Sequence, residues 1–238
     1  MLLAFETATN TCSVALHDGT RVVAHVTVQR PRIHAEQLLP LSQVVLKQAG
    51  VSVQDLNAIA VSEGPGSYTG LRIGVSAAKG LALAADAALV GVSSLAALAE
   101  QARSMVEPGA GICALFDARR TEAYAGAFLV QEDGSLELAQ PIAGVLMEDL
   151  ADWLPDASRW ICMGDGAAKV ESVVSALPGV SRIVPLSTIA PSAVTVAKLG
   201  WAKFQAGEAD DLAAFEPFYL KAFVAKTPKR TLFERLPF

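Results

Sequence analysis

The sequence predicts an α/β protein of two lobes, each a mixed sheet flanked by helices, and three observations predict it. The 238 residues are 52% apolar and 18% charged, enough to bury one large two-lobed core or two small ones. The chain reads as strand, strand, strand, helix, strand, helix, strand, helix, and then starts the same order again. Two acidic residues, Glu6 and Asp117, end the matching first strands of the two runs.

Met1 to Glu6 is an apolar run closed by polar Thr7 to Thr11, and Cys12 to Asp18 then alternates with Cys12, Val14 and Leu16 on one face. Asp18-Gly19 is a tight-turn signal, and Arg21 to Gln29 alternates Val22, Ala24, Val26 and Val28 against Val23, His25, Thr27 and Gln29. A three-strand meander follows from that spacing. Leu38, Leu41 and Val45 then recur at helical intervals and stop at Gly50, with Pro40 in the first turn or kinking the helix. Next come a strand Ala58 to Ser62, a loop Glu63 to Tyr68, a helix from about Thr69 to Ala85, a strand Ala88 to Val92, and a helix opened by Ser93 or Ser94.

The second run has strands Gly111 to Asp117, Glu122 to Gln131 and Ser135 to Ala139, the last two joined through Asp133-Gly134. Helix Met147 to Leu154, strand Arg159 to Met163, helix Ala167 to Leu177, strand Arg182 to Val184 and helix Ser192 to Ala206 follow, with Pro178-Gly179 and Gly207 as stops. A Rossmann sheet would alternate strand and helix from its start. The duplicated order instead predicts the actin-like, ribonuclease-H-like class. Glu107-Pro108-Gly109 interrupts the pattern, which divides the chain into lobes at 1–106 and 107–218 and a tail at 219–238.

Composition narrows function. Nineteen Lys and Arg against 24 Asp and Glu leave a net charge of -5, which argues against a surface that by itself supplies most of a nucleic acid's phosphate-binding energy. The mean hydropathy of +0.39 raises the membrane question, but the most apolar stretch, Gly80 to Ala99, is interrupted by Asp86 and rich in Ala. Residues 1 to 5 are followed at once by Glu6, without a basic leader, so a cytoplasmic protein is expected. Cys12, Cys113 and Cys162 lack metal or CxxC spacing and are expected to be inert thiols.

The segment most suggestive of chemistry is Glu63-Gly64-Pro65-Gly66-Ser67-Tyr68-Thr69-Gly70-Leu71-Arg72-Ile73-Gly74, a glycine-rich loop running from a strand end into a helix. Such a loop presents backbone N–H groups at a positive helix end and suits an anion. A tight strand-to-helix turn is the plainer explanation. The candidate phosphate or nucleotide contacts are Glu6, Gly64, Gly66, Ser67, Thr69, Arg72 and Asp117, with Glu6 and Asp117 as magnesium or acid-base carboxylates across a cleft. Against them, Thr7-Ala8-Thr9-Asn10-Thr11 offers neither Gly nor Lys to embrace a triphosphate. The following helix is small-faced, with Gly70, Gly74, Ala77, Ala78, Gly80, Leu81 and Ala84. Each interior Gly costs ~1 kcal/mol of helix propensity, which points to close contact with another backbone.

The strings GPGSYTGLRIG, LLAFETATNTCSVAL, HAEQLLP, VSSLAALA, FDARRTEAYAG, MGDGA and EPFYLK, spread from residue 2 to about 221, resemble the TsaB family. That resemblance implies a non-catalytic, actin-like subunit supporting formation of N6-threonylcarbamoyladenosine beside the tRNA anticodon. It implies pairing with the catalytic subunit TsaD, a ternary complex with the ATPase TsaE, contact with tRNA only indirectly, and no tightly bound cofactor, with ATP or ADP admitted at the complex interface. A homodimer through the same surface is left open. The pairing surface it implies is the first two helices, Glu36 to Gln48 and Thr69 to Ala85 here. The candidate partner-binding residues are Leu38, Leu41 and Val45 on the first and Gly70, Leu71, Gly74, Ala77, Ala78 and Leu81 on the second. On that reading Gly74→Arg or Ala78→Arg separates the chain from TsaD without unfolding it.

TsaD-like proteins bind metal through an HxxxH pair on the helix matching the first one here, but His34 is followed four residues later by Leu38. With His17 and His25 expected on strand faces opposite the apolar ones, no metal ligand set and no catalytic residue is assigned. Ser67 lies in Gly66-Ser67-Tyr68-Thr69-Gly70, which is not GxSxG, so a peptidase is a weak alternative. The stronger alternative is a stand-alone actin-like phosphotransferase using Glu6, Asp117 and the glycine-rich loop on ATP. Arg119-Arg120 with Glu122 and Tyr124 is expected to be a solvated turn with a local ion pair. Gly164-Asp165-Gly166 is expected to be a simple turn, and the basic tail after Tyr219 a solvated one.

Overall fold

The computed structural model describes residues 1–169, 171, 180–184 and 189–220. The first run folds as β1 (Leu2–Glu6), β2 (Thr11–His17), β3 (Val22–Gln29), α1 (His34–Ala49), β4 (Ala58–Gly64), α2 (Tyr68–Ala85), β5 (Ala88–Ser93) and α3 (Ser94–Ala102). Its sheet has the order β3-β2-β1-β4-β5, antiparallel through the meander and parallel from β1 to β4 and β5. The second run gives β6 (Gly111–Asp117), β7 (Glu122–Val130), β8 (Leu136–Leu146), α4 (Leu150–Trp153), β9 (Trp160–Met163), α5 (Asp165–Lys169) and β10 (Val180–Val184). Its order, β10-β9-β6-β7-β8, is the first topology repeated, with β6 in the place of β1. The two-lobed actin-like class expected from element order is the class observed.

The first sheet is covered on both faces, which is why β2 is buried along its whole length. One face sets Leu3, Phe5, Cys12, Val14, Leu16, Ile59 and Val61 against Leu38, Val45 and Leu46 of α1 and Val75, Ala78 and Ala82 of α2. The other is a floor of small side chains, Ala4, Ala15, Ala58 and Ala60. The last described helix, α6 (Ala193–Gln205), lies on that floor through Ala193, Val196 and Ala197, and a Cβ on its Gly200 would come within 2.5 Å of the Ala60 Cβ. The helix was expected with the second lobe. Its small residues match an alanine floor built from the far end of the sequence, and that complementarity decides where it docks.

Other differences are local. Pro40 sits in the second turn of α1, within the helix. The third strand of the second sheet continues past Ala139 to Leu146 through Pro141, tolerated because β8 is an edge strand. The helix expected over Met147 to Leu154 is a 3-10 turn, Met147–Asp149, and the single turn α4. The helix expected over Ala167 to Leu177 begins at Asp165 and is described to Lys169; the rest of that expected span lies largely outside the described residues, as does the basic tail from Lys221. No described helix is long and apolar enough to cross a membrane.

After α6 the chain returns along the free edge of β5 as a strap. Asp210 pairs with Leu89, its carboxylate accepts the Gly91 N–H at 2.7 Å, and Lys203 donates to the Gly91 carbonyl at 2.8 Å. Farther on, Lys79 of α2 donates to the Ala213 and Phe215 carbonyls, and the Phe218 N–H donates to the Glu63 carbonyl at 2.7 Å. Covering an edge in this way protects it from pairing with another chain.

Candidate functional site

Of the residues proposed for phosphate contact, Glu6, Gly64, Gly66 and Ser67 come together where β1 and β4 end beneath α2, and there the chain fills its own loop. Glu6 is fully buried; its Oε1 accepts the Ala8 N–H at 2.6 Å, and among the described residues its Oε2 has no hydrogen-bond partner. Burial pushes its carboxyl up to about 7, while the Ala8 amide and the Ser62 hydroxyl pull the other way. Gly64 has φ +125° and donates its N–H to Ser94 Oγ at 3.1 Å. The Ser67 N–H donates to the Ala8 carbonyl at 2.7 Å, and Ser67 Oγ caps α2 by accepting the Gly70 N–H at 3.3 Å.

The glycines of this stretch answer to packing. A Cβ on Gly66 would lie 2.5 Å from the Ala8 carbonyl oxygen, on Gly70 2.1 Å from the Thr7 carbonyl oxygen, and on Gly74 2.2 Å from Thr7 Oγ1; on Gly64 it would lie 2.5 Å from the Phe218 carbonyl oxygen. The β1–β2 turn and the strap therefore press directly on these glycines, and the Gly64, Ser67 and Gly70 amides are committed internally. Thr69 is exposed at the start of α2, and Arg72 stacks over the Tyr68 ring at 4.3 Å and donates to the Tyr219 hydroxyl at 3.3 Å. Asp117, half-buried at the end of β6, accepts the Arg119 N–H. These residues do not assemble a triphosphate cradle.

Nor do the histidines fit an HxxxH metal site. His34 is buried with Nε2 3.0 Å from the Thr11 carbonyl oxygen, and Leu38 at the second ligand position is in the core. His17, expected at a surface or boundary, is buried, stacked on Trp201 at 5.3 Å with Nδ1 accepting the Gly19 N–H. Among the described residues no group of three His, Cys, Asp or Glu could hold a metal ion. The three cysteines are free and buried.

The proposed partner-binding residues divide into two sets. Leu38, Val45, Gly70, Leu71, Gly74 and Ala78 are buried inside this chain, packed on its own sheet and β1–β2 turn. They cannot meet a partner, and Gly74→Arg or Ala78→Arg would damage the fold first. Leu41, Ala77 and Leu81 are half-buried beside the core. What faces outward is different: Leu39 is 50% exposed, Val44 49% and Leu83 74%, with Gly80 exposed and, among the described residues, nothing within 4 Å of where its Cβ would sit. Sequence reasoning noted Gly80 only as part of the small face and passed over Leu39, Val44 and Leu83. The usable signal was phase: Gly80 and Leu83 fall outside the Leu71, Val75, Ala78, Ala82 stripe that faces the core.

The chain matches the TsaD family, described as tRNA N6-adenosine threonylcarbamoyltransferase, over residues 22–226. It is 37% identical over 166 residues to the tRNA threonylcarbamoyladenosine biosynthesis protein TsaB of Escherichia coli K12, covering 69% of this chain and 71% of that one. A solved structure of YeaZ from Pseudomonas aeruginosa superposes with a TM-score of 0.80 at 34% identity, covering 92% of this chain and 99% of the other. A tRNA N6-adenosine threonylcarbamoyltransferase from Limosilactobacillus fermentum is 38% identical over 112 residues, 40% of this chain and 33% of that one. With a family match over most of its length and its duplicated two-sheet topology, the chain belongs to the TsaB family, within the wider family of TsaD-type proteins.

Proposed function

We propose that this chain serves the formation of N6-threonylcarbamoyladenosine in tRNA as a non-catalytic subunit, docking a TsaD-type transferase on the outward face of α1 and α2, with TsaE joining the pair. The observation that carries the reading is Gly80. Of the three glycines in α2, Gly70 and Gly74 are required by Thr7, but Gly80 meets nothing within 4 Å of its Cβ position among the described residues, although a mid-helix Gly costs ~1 kcal/mol relative to Ala. With Leu83 one turn on in the same helix exposed, and Val44 exposed on α1, it suits the close approach of a second helix. A homodimer through the same face would compete with the heterodimer. Any nucleotide the complex uses is held outside the loop at 64–67, whose Gly64 and Ser67 amides are committed. The chain's place in the cytoplasm belongs to the same reading.

Gly80→Arg and Leu83→Arg test it. Each adds an exposed side chain, so thermal unfolding is expected to match wild type, whereas a charge driven into the contact is expected to weaken co-elution with the TsaD-type subunit by ~100-fold or more. Modified adenosine made by TsaD and TsaE should then fall to the level seen with the chain omitted. Equal product with and without the chain, or undiminished co-elution of both variants, overturns the proposal.

A further inference from the structure

The hairpin tip between β6 and β7 has a backbone that its residues do not favour. Arg119 has φ +72° and Arg120 φ +55°, two consecutive residues in the left-handed region that Gly, Asn and Asp occupy with least strain. The surrounding structure enforces it. Asp117 Oδ1 accepts the Arg119 N–H at 2.8 Å, Asp165 Oδ1 accepts the Asp117 N–H at 2.9 Å, and the Glu122 N–H closes the turn on the Arg119 carbonyl at 3.3 Å. The Asp117 and Asp165 carboxylates beside them each accept a backbone N–H, make further contacts within the chain and keep their charge. Both arginines are exposed, and among the described residues neither guanidinium has an ion-pair or hydrogen-bond partner. Among the described residues neither arginine forms the local ion pair expected from the sequence, while Glu122 and Tyr124 make other contacts. Strain retained in a fixed turn that ends in two outward cations indicates a use for the cations.

We propose that Arg119 and Arg120 form a contact for the phosphodiester backbone of RNA, engaging tRNA directly when the chain is assembled with its transferase; the inference rests on the function proposed above for the substrate's identity. Paired guanidinia suit phosphate oxygens, which they bind in fork geometry. The tip lies outside the carboxyl end of β6, where ligands of such sheets gather. A nucleotide's phosphates need an enclosing site, whereas an exposed tip suits a polyanion passing over it. Two contacts position a chain of net charge -5 without supplying most of the affinity, in line with its composition.

The test replaces the pair by residues that favour the turn, R119N/R120G, with R119K/R120K retaining the charges. Binding of a tRNA transcript to the assembled complex is measured across a salt series. R119N/R120G should fold with an unchanged or higher Tm, still co-elute with the transferase, bind tRNA about tenfold more weakly at ~0.1 M salt, and lose 1 to 2 from the slope of log K against log salt. R119K/R120K should keep the slope. Unchanged tRNA affinity and slope in R119N/R120G, or a loss of ATP binding in place of tRNA binding, overturns this proposal and leaves the docking proposal standing. If the wild-type chain fails to co-elute, the docking proposal fails, and the same slopes measured on the isolated chain over a salt series that begins at ~20 mM still decide this one.

Discussion

Gly70→Ala is expected to destabilise the chain by ~3 kcal/mol or more, while Gly80→Ala, the same change within the same helix, is expected to stabilise it by ~1 kcal/mol. The first methyl would sit 2.1 Å from the Thr7 carbonyl oxygen, a backbone atom of the turn that also receives the Ser67 N–H at Ala8. Neither partner is free to move. α2 is fixed on the sheet through Leu71, Val75 and Ala78, and the turn is buried at Thr7 and Ala8. The second methyl meets open space and brings only the propensity gain. Gly74→Arg, which must pass a long side chain through Thr7 Oγ1 at 2.2 Å, is expected to yield no folded chain. Urea melts of Gly70→Ala and Gly80→Ala check the opposite signs. Equal stability of the two would show that the turn does not press on α2, and would remove the physical basis for assigning Gly70 and Gly74 to the fold and Gly80 to a partner.

The same contrast explains what could be read from the sequence. Periodicity located β1 to β5, α1 and α2 within a residue or two, and the start of α3, because each is coded locally, by alternation at Cys12, Val14 and Leu16 or by helical spacing at Leu38, Leu41 and Val45. The duplication followed from their order. Periodicity says which residues face a core, and a run of Gly and Ala on one helix face is the same whether the neighbour is a turn of the same chain or another protein. Helical phase sets Gly80 apart from the core-facing stripe, but only the placement of Thr7 shows that Gly70 and Gly74 answer to a turn of the same chain. The position of α6 was hidden for a related reason, since Gly200 meeting Ala60 is a match of shape between distant segments. The glycine-rich loop resembled an anion cradle because a tight turn under a buried strand end and a phosphate loop ask for the same residues. What separates them is where the amides of Gly64 and Ser67 point.

Glu6→Gln is expected to flatten the stability of this chain between pH 5 and pH 8 and to raise it above pH 7. Folding lifts the Glu6 carboxyl from 4.5 to about 7, so the native state holds this proton more tightly than the unfolded state does. The stability this gives is complete below pH 4.5 and is lost as pH rises through 7. The gap corresponds to ~3 kcal/mol, because above pH 7 folding must bury a carboxylate whose Oε2 has no partner among the described residues. Glutamine keeps an Oε1 to accept the Ala8 N–H and carries no charge at any of these pH values, so the variant should exceed wild type by ~2 kcal/mol at pH 8, a Tm rise of roughly 5 °C. Other groups titrate nearby: Glu63, raised by burial, acts in the same direction as Glu6, and His17, lowered by burial, acts in the opposite one. Both are present in wild type and variant, so the difference between the two curves isolates Glu6. Parallel curves from pH 5 to pH 8 would mean that Glu6 ionises as freely in the fold as out of it, which would require the β1–β2 turn to open and admit water or a cation to the carboxylate. The loop at 64–67 would then be as accessible as its sequence first suggested.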